Sequence, residues 1–173
     1  MDERWDRIAV KLERILDRVD QMLDGFSPPP SPDGTFFDGH LAFRWRRLRD
    51  AGVFVPVEHP HLPSLDDLVG IDMARDELIR NTDQFVEGYP ANNVLLWGER
   101  GTGKSTCVKG LLRHFGNQGL RVVEVHRDDL CTIPAIVAPL RTVPQRFILF
   151  CDDLSFGEGE GGYRELKALL EGG

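Results

Sequence analysis

Val94-Leu95-Leu96-Trp97-Gly98-Glu99-Arg100-Gly101-Thr102-Gly103-Lys104-Ser105 decides how this chain folds. A short apolar run enters the pattern G-x-x-x-x-G-K-[ST], and apolar residues at helical spacing follow it. Glycines let successive backbone N–H groups turn inward around an anion, while the helix that starts there aims its positive end at the same charge. The reading is strand, phosphate-binding loop, helix; a plain Gly-rich strand-to-helix turn is the alternative. In this class of loop the lysine, Lys104, neutralises phosphate oxygens and the hydroxyl of Ser105 joins the coordination sphere of Mg²⁺. Gly98, Arg100, Gly101, Thr102, Gly103, Lys104, Ser105 and Thr106 are therefore the candidate contacts to a nucleoside triphosphate, with Ser105 a metal ligand and not a nucleophile.

Such a loop calls for a partner downstream, an apolar strand that ends in a carboxylate holding the same Mg²⁺. Phe147-Ile148-Leu149-Phe150-Cys151-Asp152 supplies it, 47 residues after Ser105. Capping of the next turn by Asp152-Asp153 is the competing use. Asp153 stands where a carboxylate can polarise an attacking water, although aspartate is one methylene shorter than the glutamate that would give the fuller reach. Lys104 and Asp153 are the candidate catalytic residues, Ser105 and Asp152 the candidate metal ligands.

Outward from the loop, Val108, Leu111, Leu112 and Phe115 mark one helical face ending at Gly116, and 120–125 is apolar and β-branched enough for a strand. Thr132 caps a helix with Pro134 in its first turn, which Pro139 should end early. A strand follows at 146–151, then a glycine-acid loop at 157–162 and a last helix around Leu166, Leu169 and Leu170. Upstream, a helix capped by Asp72 runs to about Val86 and stops at Gly88-Tyr89-Pro90, before a strand at 93–97. The alternation of strands and helices predicts an α/β fold with a parallel, helix-covered sheet.

Leu41, Trp45 and Leu48 share a helical face opposite Arg44, Arg46, Arg47 and Arg49, a short basic amphipathic segment that is either a solvated face or a phosphate or nucleic-acid contact. His59-Pro60-His61 reads as a turn, or as two imidazoles without a third metal ligand. Residues 25–34 form a proline-rich tether. Before it, Trp5, Ile8, Leu12, Ile15, Val19 and Met22 predict an amphipathic helix over 3–24, either a subunit-contact arm or a helix docked on its own domain. The resulting division is an arm at 1–24, a linker at 25–34, a basic and aromatic extension at 35–63 and a nucleotide-binding core at 64–173.

Composition limits the partners. Lys and Arg number 21 against 28 Asp and Glu, a net charge of −7 that gives no overall attraction for nucleic acid or anionic lipid. Met1-Asp2-Glu3-Arg4 begins no signal peptide, and no apolar run approaches the roughly 20 residues that span a bilayer, so a cytoplasmic location is expected. Cys107, Cys131 and Cys151 are odd in number and lack metal-type spacing, as free thiols do.

From about Phe43 to Gly172 the sequence resembles a bacterial family of AAA-type ATPases known mainly as domain of unknown function 815. The resemblance rests on Ala42-Phe43-Arg44-Trp45, on Leu65-Asp66-Asp67-Leu68-Val69-Gly70-Ile71, on Asn81-Thr82 with Phe85, on Asn92-Asn93-Val94-Leu95-Leu96-Trp97-Gly98, and on Phe147 through Phe156 with its paired aspartates. It implies a three-layer P-loop NTPase fold of AAA type, ATP with Mg²⁺, an adenine pocket near Val69, Gly70 and Ile71, and a homo-oligomer that turns hydrolysis into a conformational step on a protein partner. AAA-type modules continue with a further strand, an inter-subunit arginine and a helical lid; this chain stops at Gly173. In the strand order 5-1-4-3-2 the absent strand falls between the one before the phosphate loop and the one ending at Asp152. The expectation is thus an incomplete sheet in a truncated module, with hydrolysis expected of the complete form. A nucleotide-controlled binding module with little hydrolysis is the alternative, and a kinase ranks third for want of an acceptor pocket.

Overall fold

Phe43 and Trp45 alternate with Arg44 and Arg46, and that period of two governs the segment: Ala42–Leu48 is a strand, β1, and not the basic helix that the spacing of Leu41, Trp45 and Leu48 suggested. Both templates fit Trp45; the strand wins because Ala51–Pro56 (β2) returns antiparallel beside it, with Trp45 opposite Phe54. Trp45 lies over Gly52, where a Cβ would overlap the indole ring. Its Nε1 donates to Thr132 Oγ1 at 2.9 Å, so the aromatic of the basic segment is a core residue.

The computed structural model describes residues 32–48, 51–152 and 154. The helix at 3–24, all but the last residues of the linker at 25–34, Asp153, the loop at 157–162 and the last helix lie outside the described residues. Within them the order is α1 (Gly34–Asp38), β1, β2, a 3-10 turn at Leu65–Asp67, α2 (Asp72–Val86), α3 (Lys104–Phe115), a 3-10 turn at Gly116–Gln118, β3 (Leu120–Glu124), a 3-10 turn at Arg127–Thr132, α4 (Ile133–Leu140) and β4 (Arg146–Phe150).

The four strands form one sheet in the order β2-β1-β3-β4. Since β1 pairs β3 and β3 pairs β4 in parallel while β1 pairs β2 antiparallel, the sheet is mixed and mostly parallel, which corrects the expectation of a wholly parallel one. Segment 35–63, read as an extension, supplies two of the strands. Alternation along β3 and β4 then fixes two faces. Leu120, Val122 and Ile148 meet α3, with α2 and Leu65 in the same apolar clusters, whereas Val123, Phe147 and Leu149 meet α4 and the aromatics of α1, β1 and β2. Helices on both faces of a sheet make three layers. On the second face Phe37 is fully buried, its ring centroid 5.0 Å from Phe43, 5.4 Å from Phe54 and 4.9 Å from Phe147 in edge-on contacts.

Three local signals are amended, the first being that Pro139 lies inside α4, which runs past it to Leu140, and does not end the helix. Ile71, not Asp72, occupies the cap position of α2 and makes no side-chain capping bond; Asp72 instead pairs with Arg75 at 3.1 Å. Thr132 does precede α4, yet its hydroxyl donates to the Asp129 carbonyl at 2.6 Å rather than to the helix. The larger departure is at 93–97, predicted as a strand: residues 91–97 join no sheet among the described residues, and Leu95 and Trp97 are 73% and 86% exposed. Leu96 alone of that run turns toward α3 and Ile148. An apolar segment needs a ladder partner to become a strand, and β4 pairs with β3 on its other side.

A charge that the apolar reading of 120–125 passed over ties the layers together. Arg121, 7% exposed, donates through Nε to the Phe37 carbonyl at 2.8 Å and through one terminal nitrogen to the carbonyls of Gly116 and Leu120 at 3.0 and 2.9 Å. Burial draws its pKa below the ordinary arginine value, opposed by the nearby Asp38. The guanidinium thus serves the end of α1 and the carboxyl end of α3 at once, adding a charged donor to the Gly116 carbonyl beside the bond it accepts from the Gly119 N–H. Replacing it by methionine (Arg121→Met) takes the charged donor from the Phe37 and Leu120 carbonyls and leaves the Gly116 carbonyl its one bond from the Gly119 N–H, and a loss of about 3 kcal/mol is expected. A urea titration checks this: the midpoint should fall at unchanged slope, and an unmoved midpoint would show the carbonyls to be satisfied otherwise.

Candidate phosphate-binding site

The phosphate loop is built on three left-handed glycines, Gly98, Gly101 and Gly103, with φ of +140°, +86° and +88°. Side chains rarely adopt such angles, and here they fold 98–103 back on itself so that α3 begins at Lys104. Gly103 is the cap residue of α3 and offers no side chain to its first-turn N–H groups; no acidic residue sits in that turn. Those donors are left to an outside acceptor, at the positive end of a 12-residue helix.

Lys104 Nζ donates to the carbonyls of Gly98 and Glu99 at 2.9 and 2.7 Å, and Thr102 Oγ1 donates to the Glu99 carbonyl at 2.9 Å. The ammonium therefore sits inside the loop. Arg100 is exposed at its outer bend and Thr106 half-buried on α3.

Asp152 reaches the loop by strand geometry. Ile148 packs in the clusters of α3, and Phe150 with it; two residues further on, the Asp152 carboxylate projects to the start of that helix. There Ser105 Oγ donates to Asp152 Oδ2 at 2.7 Å. Ser105 and Asp152 are thus brought together, as are Gly98, Gly101, Thr102, Gly103 and Lys104 in the loop; Asp153 lies outside the described residues.

Beside the loop is a cleft of about 260 Å³, walled by Ile71, Ala74 and Leu78 of the α2 side and by Leu95, Leu96 and Trp97 opposite, with Lys104 at its loop end. A second, more open hollow of about 390 Å³ adjoins it at Gly70 to Ala74. Ile71 lines both and Gly70 the second, whereas Val69 is 92% exposed and lines neither. Among the described residues no group of three His, Cys, Asp or Glu could hold a metal ion, His59 and His61 included, and no helix is long and apolar enough to cross a membrane. Arg44 and Arg47 are paired with Glu124 and Asp129 at 3.1 and 3.4 Å.

Sequence reasoning missed one contact here. The Asn81 side chain bonds both backbone groups of Asn92, which opens the segment leading into the loop. Its signal was faint: two asparagines 11 residues apart, one of them inside a helix that asparagine does not favour.

Residues 38–173 match the profile of the family described as "Protein of unknown function (DUF815)". The chain belongs to that family. This DUF815 chain is also 31% identical over 99 residues to two proteins of Halobacterium salinarum, ORC1-type DNA replication protein 2 and ORC1-type DNA replication protein 4. The match covers 57% of this chain but 34% and 22% of theirs, so it spans about a third or less of those relatives. No solved structure matches.

Two thiols of the DUF815 chain flank the site. Burial pushes the thiol pKa of Cys107, which lines the cleft, above its ordinary value; Cys151 is raised chiefly by burial and further by the Asp152 charge, with Arg127 opposing. A raised pKa means less thiolate at any given pH, and reactivity that appears only as pH climbs. Maleimide at neutral pH should label the exposed Cys131 first, with Cys107 and Cys151 following more slowly and gaining rate toward alkaline pH; mass mapping of the labelled peptides checks the order.

Proposed function

We propose that this chain is the nucleotide-binding module of an AAA-type ATPase, taking ATP with Mg²⁺ between the phosphate loop and Asp152. The observation that carries the reading is the 2.7 Å bond from Ser105 to Asp152, which joins two motifs 47 residues apart at the uncapped start of α3. The donor set suits the group: a hydroxyl and a carboxylate oxygen are the hard ligands that Mg²⁺ takes alongside phosphate oxygens. When bound, the ion would neutralise charge on the phosphates and draw electron density from the bond that breaks.

The chain's own residues do the rest. Main-chain N–H groups of 98–105 bind phosphate oxygens, and the glycines leave them unobstructed. Lys104, which donates to two loop carbonyls, has a third N–H to offer a phosphate oxygen and a full charge close by. Ile71, Ala74 and Leu78 supply an apolar wall for a base and Gly70 borders the adjoining hollow, while Val69, expected beside them, stands outside both. Asp153 accepts a proton from the attacking water and Asp152 holds Ser105 in register. In this reading the module is a cytoplasmic homo-oligomer acting on a protein partner, and the similarity to ORC1-type DNA replication proteins supports a nucleotide-driven role in a larger assembly.

A nucleotide-controlled binding module is the second reading. Asp153 favours it, being a methylene shorter than glutamate, and so do the exposed Val69, Met73, Leu95 and Trp97 around the cleft, which suit a partner surface.

Calorimetry with MgATP separates the cases. The parent protein should bind, Lys104→Ala should lose roughly a hundredfold in affinity, and Asp153→Asn should bind as the parent does while any phosphate release falls. Binding without measurable hydrolysis in the parent would favour the second reading, and no uptake of nucleotide in magnesium buffer would end both.

A further inference from the structure

Segment 91–97 joins no strand among the described residues, yet the phosphate loop hangs from its end. Its start is held by a side chain. Asn81 Nδ2 donates to the Asn92 carbonyl at 2.9 Å, and the Asn92 N–H donates back to Asn81 Oδ1, also at 2.9 Å. One donor and one acceptor aimed at the two backbone groups of a single residue is what a neighbouring strand supplies in a ladder. The primary amide of asparagine presents both side by side, at neutral charge and in one rigid plane. The next residue, Thr82, takes no share: it is buried, and its hydroxyl turns back on the Leu78 carbonyl at 2.8 Å.

Asn81 belongs to α2, and α2 meets the same segment a second time. Its Ala74 and Leu78, with the preceding Ile71, form one wall of the cleft whose other wall is Leu95, Leu96 and Trp97. One helix is therefore hydrogen-bonded to the run at 92 and borders the same cleft as 95–97, with Leu96 in the apolar cluster of Leu78.

We propose that Asn81 is a positioning residue for the nucleotide site: its amide takes the place of a strand neighbour and sets where segment 92–97 delivers Gly98 to the start of α3. It acts through the Asn92 backbone and touches neither phosphate nor base. The inference rests on the nucleotide reading of the loop and adds a link to it. A base lodged against Ile71 and Ala74 bears on the helix that holds the loop, so base recognition and phosphate recognition are coupled through α2.

Three variants and two readouts test this. Asn81→Ala removes both bonds, Asn81→Asp keeps the acceptor for the Asn92 N–H and loses the donor, and Thr82→Val disturbs the same turn of α2 without touching the clamp. At a temperature where all are folded, MgATP affinity should fall roughly tenfold in Asn81→Ala, by an intermediate factor in Asn81→Asp, and by less than about twofold in Thr82→Val. Without nucleotide, hydrogen exchange at the Asn92 amide, followed by NMR, should accelerate by roughly tenfold or more in Asn81→Ala. Parent-like affinity in Asn81→Ala, or an equal loss in Thr82→Val, overturns the proposal; should Asn81→Ala fail to fold, Asn81→Asp against Thr82→Val decides by the same criterion. If the parent itself takes up no MgATP, the nucleotide reading falls and the exchange rate judges the clamp separately: an unchanged rate removes it, an accelerated one keeps it as the fixing of the loop.

Discussion

A hydroxyl and a carboxylate must meet at the start of α3, and most of the architecture follows from that requirement. Ser105 stands in the first turn of a helix, Asp152 just past the end of a strand, and 2.7 Å between them leaves little freedom in how helix and strand cross. The alternation of β4 sends Ile148 under α3 and Asp152 to its tip. Val108, Leu111, Leu112 and Phe115 fix the height of the helix over β3, and the glycine loop lets the chain enter it from behind. Displacing β4 by one residue would turn the carboxylate to the opposite face, among the aromatics.

The opposite layer has a different logic. There Phe37, Phe43, Phe54 and Phe147 meet edge to face, Trp45 reaches across to Thr132, and Arg121 serves carbonyls from three places in the chain. No chemistry is implied by this side. It anchors the hairpin and α4 so that β3, shared by both layers, cannot shift beneath the site. Buried carbonyls with a charged donor resist rearrangement better than apolar contacts alone, because every alternative leaves an acceptor dry and unpaired.

What could be read from the residues followed the range of the interactions. The loop, α3, β3 and β4 announce themselves through contiguous patterns, and Ser105 with Asp152 through a pair of motifs whose chemistry requires proximity. Three features stayed hidden because their causes lie elsewhere in the chain. Leu41, Trp45 and Leu48 fit a helix until β2 is placed beside them. Residues 93–97 read as a strand by composition, but a strand also needs an edge to pair with. Arg121 in an apolar run looked incidental, since two of the three carbonyls it serves come from α1 and the end of α3. Of the adenine pocket inferred by resemblance, Ile71 lines the cleft and Val69 faces outward, a distinction that depends on the turn before α2 and not on any local signal.

The hairpin of β1 and β2 carries a practical meaning for anyone dissecting this molecule. A shortened version begun at Ser64, where the nucleotide-binding motifs start, would lose Phe37, Phe43, Trp45 and Phe54 together. Val123 and Ile136 would then face water, β3 would acquire a raw flank, and the soluble yield would suffer before any ligand was tried. The smallest autonomous piece has to begin upstream of Asp33, whose side chain ties the first turn of α1 by accepting from the Phe36 N–H.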